Sequence, residues 1–411
     1  MTSSRLTLQA LPDPLPVLPA AGVALPFSIT VHTQMEPLEA SWRQLERDNL
    51  VSLHQGYDWC RTWAVTNPAP LLILEGVVGG ETRFILPLEV IRRHGSRIAR
   101  FIAGSHSNLN TGLVAPDLTA LEPEAFLKAV KEAIAGRVDL LNLGNMPLLW
   151  RDRLSPFHHM DHTENQNRAF QLPLLPVFEE TLKQVNAKRR RKKFRLQQRR
   201  LEQAGGYDIF RADDAQGRHA LLDEFFRQKA ERFRTQGLPD VFRDKATQAF
   251  FHALLDVKPE GDNVPLVLHG LRLTGGEHAG VVLAIAGVSR KGDHMVCQFG
   301  SIREDVIPDA SPGEFLFWHV IEGACKTGAA LFDFGIGDQL YKRSWCAVET
   351  VQYDVLVPLT ARGVLSAGLQ KGVIRAKAAI KGNPRLYALI QRLRAGSGTS
   401  AQKTAESGDE D

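Results

Sequence analysis

The chain has 411 residues, 44% of them hydrophobic and 23% charged, with a formal net charge of +4. That length exceeds one ordinary domain and suits two, and the composition excludes a disordered or low-complexity chain. Its apolar runs fall well short of the roughly 18–20 residues that a membrane span needs.

Residues 1–25 are apolar but are interrupted by Pro12, Pro14, Pro16 and Pro19, with Pro26 just beyond. One early arginine and many helix breakers read as a disordered leader and not as a signal peptide. Phe27–His32 alternates as a strand does, and Leu38, Trp42 and Leu45 recur at helical spacing. A second helix is expected over Tyr57–Ala64. Strands at Leu71–Val77 and Arg83–Arg92 are joined by Gly79-Gly80, a hairpin signal. A third strand near Ile98–Ala103, a helix over Ala125–Ile134 and a short strand at Val138–Leu143 complete the first set.

The second half repeats that order. Tyr207–Arg211 reads as a strand, Leu221 to Ala230 and Lys245–Leu255 as helices. Pro265–Leu273, Ala279–Arg290 and His294–Ser301 form a meander through Gly275-Gly276 and Lys291-Gly292-Asp293. Phe315–Lys326 is a helix, Ala330–Phe334 a short strand, and Tyr353–Val357 closes the second set. An antiparallel meander followed by a helix and a parallel strand is a mixed α/β (α+β) sheet. One linker helix is expected from Val177 to Ala204. Cys60, Cys297, Cys325 and Cys346 lack C-x-x-C spacing and read as reduced thiols of a cytoplasmic protein.

Two segments carry candidate chemistry. In Asp309-Ala310-Ser311-Pro312-Gly313-Glu314, Ser311 fits an N-cap, Pro312 the first helical position, and Glu314 a capping box. A glycine there also lets a ligand approach the backbone, and the free N–H groups of a first helical turn attract a pyrophosphate. Asp333-Phe334-Gly335-Ile336-Gly337-Asp338-Gln339-Leu340-Tyr341-Lys342-Arg343-Ser344-Trp345 leaves a buried strand through two glycines into a cationic helix, where α/β proteins often place function.

Together, Ser311-Pro312-Gly313 and Asp333-Phe334-Gly335-x-Gly337-Asp338-x-x-Tyr341-Lys342-x-x-Trp345 resemble the CelD-type acetyltransferases, in the FemAB-like double-domain branch of the GNAT superfamily. Asn186-x-x-Arg189-Arg190-Arg191, Leu201-Glu202, Gly205 and Lys229-x-x-Arg232-Phe233 fit the same pattern. The resemblance runs over roughly residues 27–360 and is strongest from 180 to 350. It implies two tandem GNAT-like acyl-CoA N-acyltransferase folds and transfer of an acetyl or longer acyl group from acyl-CoA, with no metal. The acceptor it implies is a sugar or amino-sugar, free or lipid-linked, in exopolysaccharide or cell-envelope biosynthesis. The glycine-rich pyrophosphate loop common in that superfamily is absent in its usual form, and the Ser-Pro-Gly turn is its only candidate replacement.

On that frame, Tyr341 is the expected acid for the leaving thiolate, and Asp333 or Asp338 the expected base or acceptor-binding group. Ser311, Pro312, Gly313 and Lys342 are the expected cofactor contacts, and Arg232 and Gln298 the expected substrate contacts. The strand around Val296–Gly300 is expected to offer a backbone N–H to the developing oxyanion. Two other functions fit the same pattern: an aminoacyltransferase using charged tRNA, and a non-catalytic accessory protein of a polysaccharide synthase.

His158-His159-Met160-Asp161-His162 lacks an element to hold a metal and is read as none. Nine of the thirteen residues Lys188–Arg200 are basic, with Phe194 the one aromatic, which argues against nucleic acid and for a solvated or phosphate-facing helix. Arg362–Arg394 has eight basic residues, no acidic one, and interleaved apolar positions. It reads as a helix packed on the second domain or lying on an anionic membrane, which would place the protein at the inner face of the cell membrane. The expected organisation is a leader (1–25), an N-terminal GNAT-like domain (26–175), a catalytic GNAT-like domain (176–360), a basic helical region (361–395) and a disordered tail (396–411).

Overall fold

A computed structural model describes residues 27–382 apart from 48, 49, 116, 117, 119–122 and 304. The expected leader, the acidic tail and the last part of the basic region lie outside the described residues. The first half contains β1 (Phe27–His32), α1 (Glu39–Leu45), α2 (Tyr57–Thr66), β2 (Leu71–Val78), β3 (Glu81–Arg93), β4 (Ser96–Phe101), β5 (Leu113–Val114), α3 (Pro123–Ile134) and β6 (Leu140–Met146). The short strands β7 (Leu149–Trp150), β8 (Arg153–Leu154), β9 (His162–Glu164) and β10 (Ala169–Pro173) follow.

The second half contains α4 (Phe178–Lys183), α5 (Ala187–Gln203), β11 (Tyr207–Phe210), α6 (Ala215–Thr235), α7 (Lys245–Asp256), β12 (Val264–Leu273), β13 (Val282–Lys291) and β14 (His294–Ile302). It continues through α8 (Pro312–Lys326), β15 (Leu331–Ile336), α9 (Leu340–Trp345), β16 (Val348–Thr350), β17 (Tyr353–Pro358) and α10 (Ala361–Gly382). The glycines at the tip of the β2–β3 hairpin have φ of 62° and 86°, the left-handed conformation that a tight turn demands.

Two mixed sheets result. The first runs β1-β2-β3-β4-β6-β17-β9, and the second β11-β12-β13-β14-β15-β10-β16. Each has one parallel pair, β4 with β6 and β14 with β15. Each is then extended by a strand from the far end of the other half. The sequence assigns Tyr353–Val357 to the second set, but β17 pairs antiparallel with β6 and β9 in the first sheet. Conversely β10, from the first half, pairs antiparallel with β15 and β16 in the second. The edge of a parallel strand is open to any chain of suitable register, and local sequence pattern does not say which chain will fill it.

The halves also share a core. Trp59 and Trp63 of α2 meet Phe250 of α7 edge-on at 5.0 Å, and the same cluster joins Trp42 and Tyr57 to Phe225 and Phe299. On its other face the second sheet packs against α8, and Phe194 of α5 stacks on Phe315 and Trp318.

The single linker helix is two helices. The first ends at Lys183, and Asn186, with φ 57°, starts the second: its side chain accepts the backbone N–H of Arg189 at 3.3 Å and caps α5. The expected capping box on α8 does not form. Ser311 has φ 46° and makes no side-chain cap, while Glu314 turns to Lys193 and Arg190 of α5. All four cysteines are free thiols.

Candidate active site

The parallel strands β14 and β15 pair only at His294↔Leu331, Met295↔Phe332 and Val296↔Asp333. Both continue beyond that point without pairing to each other, so they part at Val296 and Asp333. Next to the parting, β14 carries a bulge: Gly287 faces Phe299 and Val288 faces Cys297, which leaves Gln298 as the extra residue. A bulge removes a residue from the ladder and re-aims its neighbours. Cys297 packs with the α8 face of the sheet and Phe299 with the α6–α7 face.

Asp333 is 2% exposed at the end of the paired stretch. It accepts from Gln171 of β10 at 2.7 Å and from the backbone N–H of Gly335 at 2.6 Å, and His294 Nε2 lies 3.5 Å away. Burial pushes its carboxyl upward, but His294, Gln171 and the Gly335 N–H outweigh this and hold it below the usual carboxylate range. Such a group anchors the turn at Gly335 and is a poor proton acceptor. Gly335 has φ 68°, and a Cβ there would press on Asn108 of the first half at 3.0 Å. The other expected base, Asp338, is exposed and paired with Arg343, which also reaches Glu349.

Lys342 is 6% exposed and donates to the carbonyl of Ile336 at 2.8 Å. Burial lowers its ammonium, opposed by Cys297, Asp333 and Cys346. It therefore fastens α9 back onto the glycine turn, where the sequence expects a cofactor contact. Tyr341 is half-buried, stacked on Phe317 at 5.8 Å with planes 8° apart, and edge-on to Phe334. Burial raises its phenol well above the ordinary value, helped by Cys297 and Cys346, so it keeps its proton at all physiological pH.

Lys229 and Cys297, to which the sequence reading gave no site role, join these together with the expected substrate contact Arg232. Lys229 of α6 is pulled down to about 8, chiefly by burial and then by Arg232, and it lies within electrostatic reach of Cys297 and Lys342. Arg232 in turn reaches Tyr341. Burial pushes the Cys297 thiol up to about 11, so it stays a neutral wall of the site.

His54 comes from the first half and is 1% exposed. Its Nδ1 lies 3.2 Å from the carbonyl of Leu109, which can only accept, so Nδ1 carries the proton. Nε2 is then a lone pair, 3.3 Å from the Gln298 amide oxygen, while the Gln298 Nε2 has no partner. Exchanging the two ends of that amide satisfies both groups, with Gln298 donating to His54. Burial lowers the His54 pKa to about 4, so the ring is neutral and fixes the bulge side chain. No local pattern could have announced His54, because its relevance arises only where the halves meet.

The start of α8 faces the basic helix α5. Gln197 Nε2 donates to the Ser311 carbonyl at 3.4 Å, Arg200 donates to the Asp309 carbonyl, and Arg190 and Lys193 face Glu314. Arg190 is 8% exposed, lies 3.9 Å over the Trp345 ring, and has its Nη2 unpartnered. Gly313 serves packing, since a Cβ there would sit 2.7 Å from Ile302. An orphaned guanidinium nitrogen beside a helix N-terminus, with Glu314 already neutralised, fits an anion such as a CoA phosphate. The histidine loop is satisfied locally: His158 and His162 bond to the carbonyls of Ser155 and Met160, and Asp161 to Lys371.

Residues 188–343 match the family described as Acetyltransferase (GNAT) domain. No curated protein matches the chain. Among solved structures, a crystal structure of FemX superposes with a TM-score of 0.54 at 15% identity, covering 80% of this chain and 97% of that one. The C-terminal domain of a putative lysylphosphatidylglycerol synthetase from Agrobacterium fabrum gives 0.51 at 11% identity, covering 83% and 97%. Residues 188–343 thus match a GNAT-type acetyltransferase domain within a mixed α/β fold, which makes the protein an acyltransferase.

Proposed function

We propose that the protein moves an acetyl or longer acyl group from acyl-CoA to a hydroxyl or amine of a sugar or amino-sugar acceptor in envelope or exopolysaccharide synthesis, as its resemblance to the CelD-type acetyltransferases implies. The observation that carries this reading is the parting of β14 and β15 beside the Gln298 bulge, with Tyr341 and Lys229 converging on it. A parted parallel pair leaves unpaired backbone N–H groups along Cys297–Gly300, suited to the oxyanion of a thioester under attack. The acceptor oxygen or nitrogen forms a bond to the acyl carbon as the carbon–sulfur bond breaks. Lys229, when neutral, takes the proton of the nucleophile, and Tyr341 supplies one to the departing thiolate. Arg190 and the first-turn N–H of Gly313 hold the CoA phosphates, and Arg232 binds the acceptor. Lys229 replaces Asp333 and Asp338 as base in this scheme, because Asp333 is fully engaged and Asp338 is an exposed ion pair.

The test is calorimetric titration with acetyl-CoA, followed by thiol release in the presence of a panel of amino-sugars. Arg190→Met should weaken acetyl-CoA binding about tenfold, the scale of one charge-assisted phosphate contact. Tyr341→Phe should bind normally and release thiol about 100-fold more slowly. Absence of binding to acetyl-CoA and longer acyl-CoAs would overturn the donor and redirect the search to charged tRNA.

A further inference from the structure

Helix α10 has two contrasting faces. One rests on the first sheet: Ala367 and Ile374 are buried, Ser366 Oγ donates to Ser96 Oγ at 2.7 Å, and Asn142 Nδ2 donates to Gln370 Oε1 at 3.3 Å. Gly363 lies so close to the Asp139 carbonyl that a Cβ would collide with it. The helix is therefore seated firmly and its rotation is fixed. The opposite face carries Val364, Leu365, Leu369 and Val373, exposed by 60, 66, 53 and 51%. These are four of the ten large apolar side chains that stand exposed among the described residues, gathered on one helix. Leu365, Leu369 and Val373 are spaced by four and form one stripe. Arg362 precedes it by one turn, Lys377 follows it by one turn, and Arg375 lies to one side, by helical geometry.

We propose that α10 docks the protein on an anionic lipid surface. The Leu365–Leu369–Val373 stripe enters the boundary between headgroups and acyl chains, and Arg362, Arg375 and Lys377 meet the headgroup phosphates. Charge decides among the occupants of such a face. From Arg362 to Arg394 the chain has no acidic residue, so a second copy would bring like charges together. The acidic stretch 396–411 has complementary charge but no large apolar side chain to cover the stripe. Residues 383–394 carry Leu386, Leu389, Ile390 and Leu393 with three arginines of their own, so they repeat the chemistry of α10 instead of complementing it. An anionic bilayer is complementary to both features at once. The proposal does not depend on the reading of the catalytic site.

Full-length protein should sediment with vesicles rich in phosphatidylglycerol and not with pure phosphatidylcholine, and it should detach at high salt. The variant Leu365→Glu/Leu369→Glu/Val373→Glu should lose at least about tenfold in vesicle affinity, with an unchanged melting temperature and unchanged acetyl-CoA titration. Equal vesicle binding by the variant overturns the proposal, as does absence of wild-type binding. In the latter case, a lower melting temperature in the variant would assign the stripe to the chain's own residues. A wild-type dimer in sedimentation velocity, lost in the variant, would assign it to a second copy.

Discussion

The parallel pairs of the two sheets are near-copies. In the first sheet Ile98, Ala99 and Arg100 face Leu140, Leu141 and Asn142. In the second His294, Met295 and Val296 face Leu331, Phe332 and Asp333. The following residues keep the likeness, Leu143-Gly144 against Phe334-Gly335. Asn142 and Asp333 therefore occupy the same register, but their surroundings differ. Asn142 meets Gln370 of α10, a helix that seals that face of the sheet. Asp333 meets Gln171 and His294, with neutral His54 nearby, and Tyr341, Lys342 and Lys229 gather within electrostatic reach of Cys297 beside it. One scaffold thus serves twice. Where a helix covers the pair it is a structural element, and where both halves supply polar groups around it, it has the makings of a catalytic centre.

The comparison can be broken at the matched residues themselves. Asp333→Asn should lower kcat/KM by at least about tenfold, since a charge-assisted anchor of the Gly335 turn becomes a neutral one. Asn142→Ala should leave kcat/KM within about twofold and cost only stability, on the order of 1 kcal/mol for one lost half-buried hydrogen bond. Equal kinetic effects at the two sites would mean that the first pair also serves the reaction.

The pH profile sharpens the same contrast. A lysine acts as base only when unprotonated, so with its pKa near 8 Lys229 should give a rate that rises through pH 8 and levels off above it. Lys229→Met should remove that limb and lower the plateau about 100-fold. A limb that survives in the variant would return the proton transfer to another group.

The smallest effect is on stability. Burial holds the folded pKa of His54 near 4, against 6.5 for the free side chain. Below pH 6.5 the unfolded chain binds the proton and the folded chain does not, so stability falls as pH drops from 6.5 toward 4 and the loss levels off below. At pH 5 the His54 contribution is about 2 kcal/mol relative to neutral pH. His54→Asn should show a correspondingly smaller fall in denaturation midpoint between pH 7 and pH 5. His106 and His269, also held near 4 by burial, should add to this acid sensitivity.

Alternating and helical hydrophobic spacing marked most of the larger elements within a few residues, including both meanders and both parallel strands, because burial of one face is a local constraint with a fixed period. The Asp333–Trp345 segment was legible for a similar reason: two glycines between an apolar strand and a cationic helix leave few other readings. Asp333 itself was legible as important, but its role was not. A carboxylate's behaviour depends on what surrounds it, and here that is Gln171, 162 positions away in sequence, and a backbone N–H. The turn at Ser311-Pro312-Gly313 was marked in sequence, yet its capping box gave way to ion pairs with α5.

By itself, then, the sequence determined two α/β halves, the position of the glycine turn and the cationic character of α5 and α10, since each follows from residues close together in the chain. Only the tertiary structure decided that β10 and β17 change places, that His54 reaches Gln298 across the junction, that Lys229 has lost most of its solvent, and which face of α10 stays bare. Each of these depends on contacts between residues far apart in sequence, and hydrophobic periodicity carries no information about which surfaces will meet.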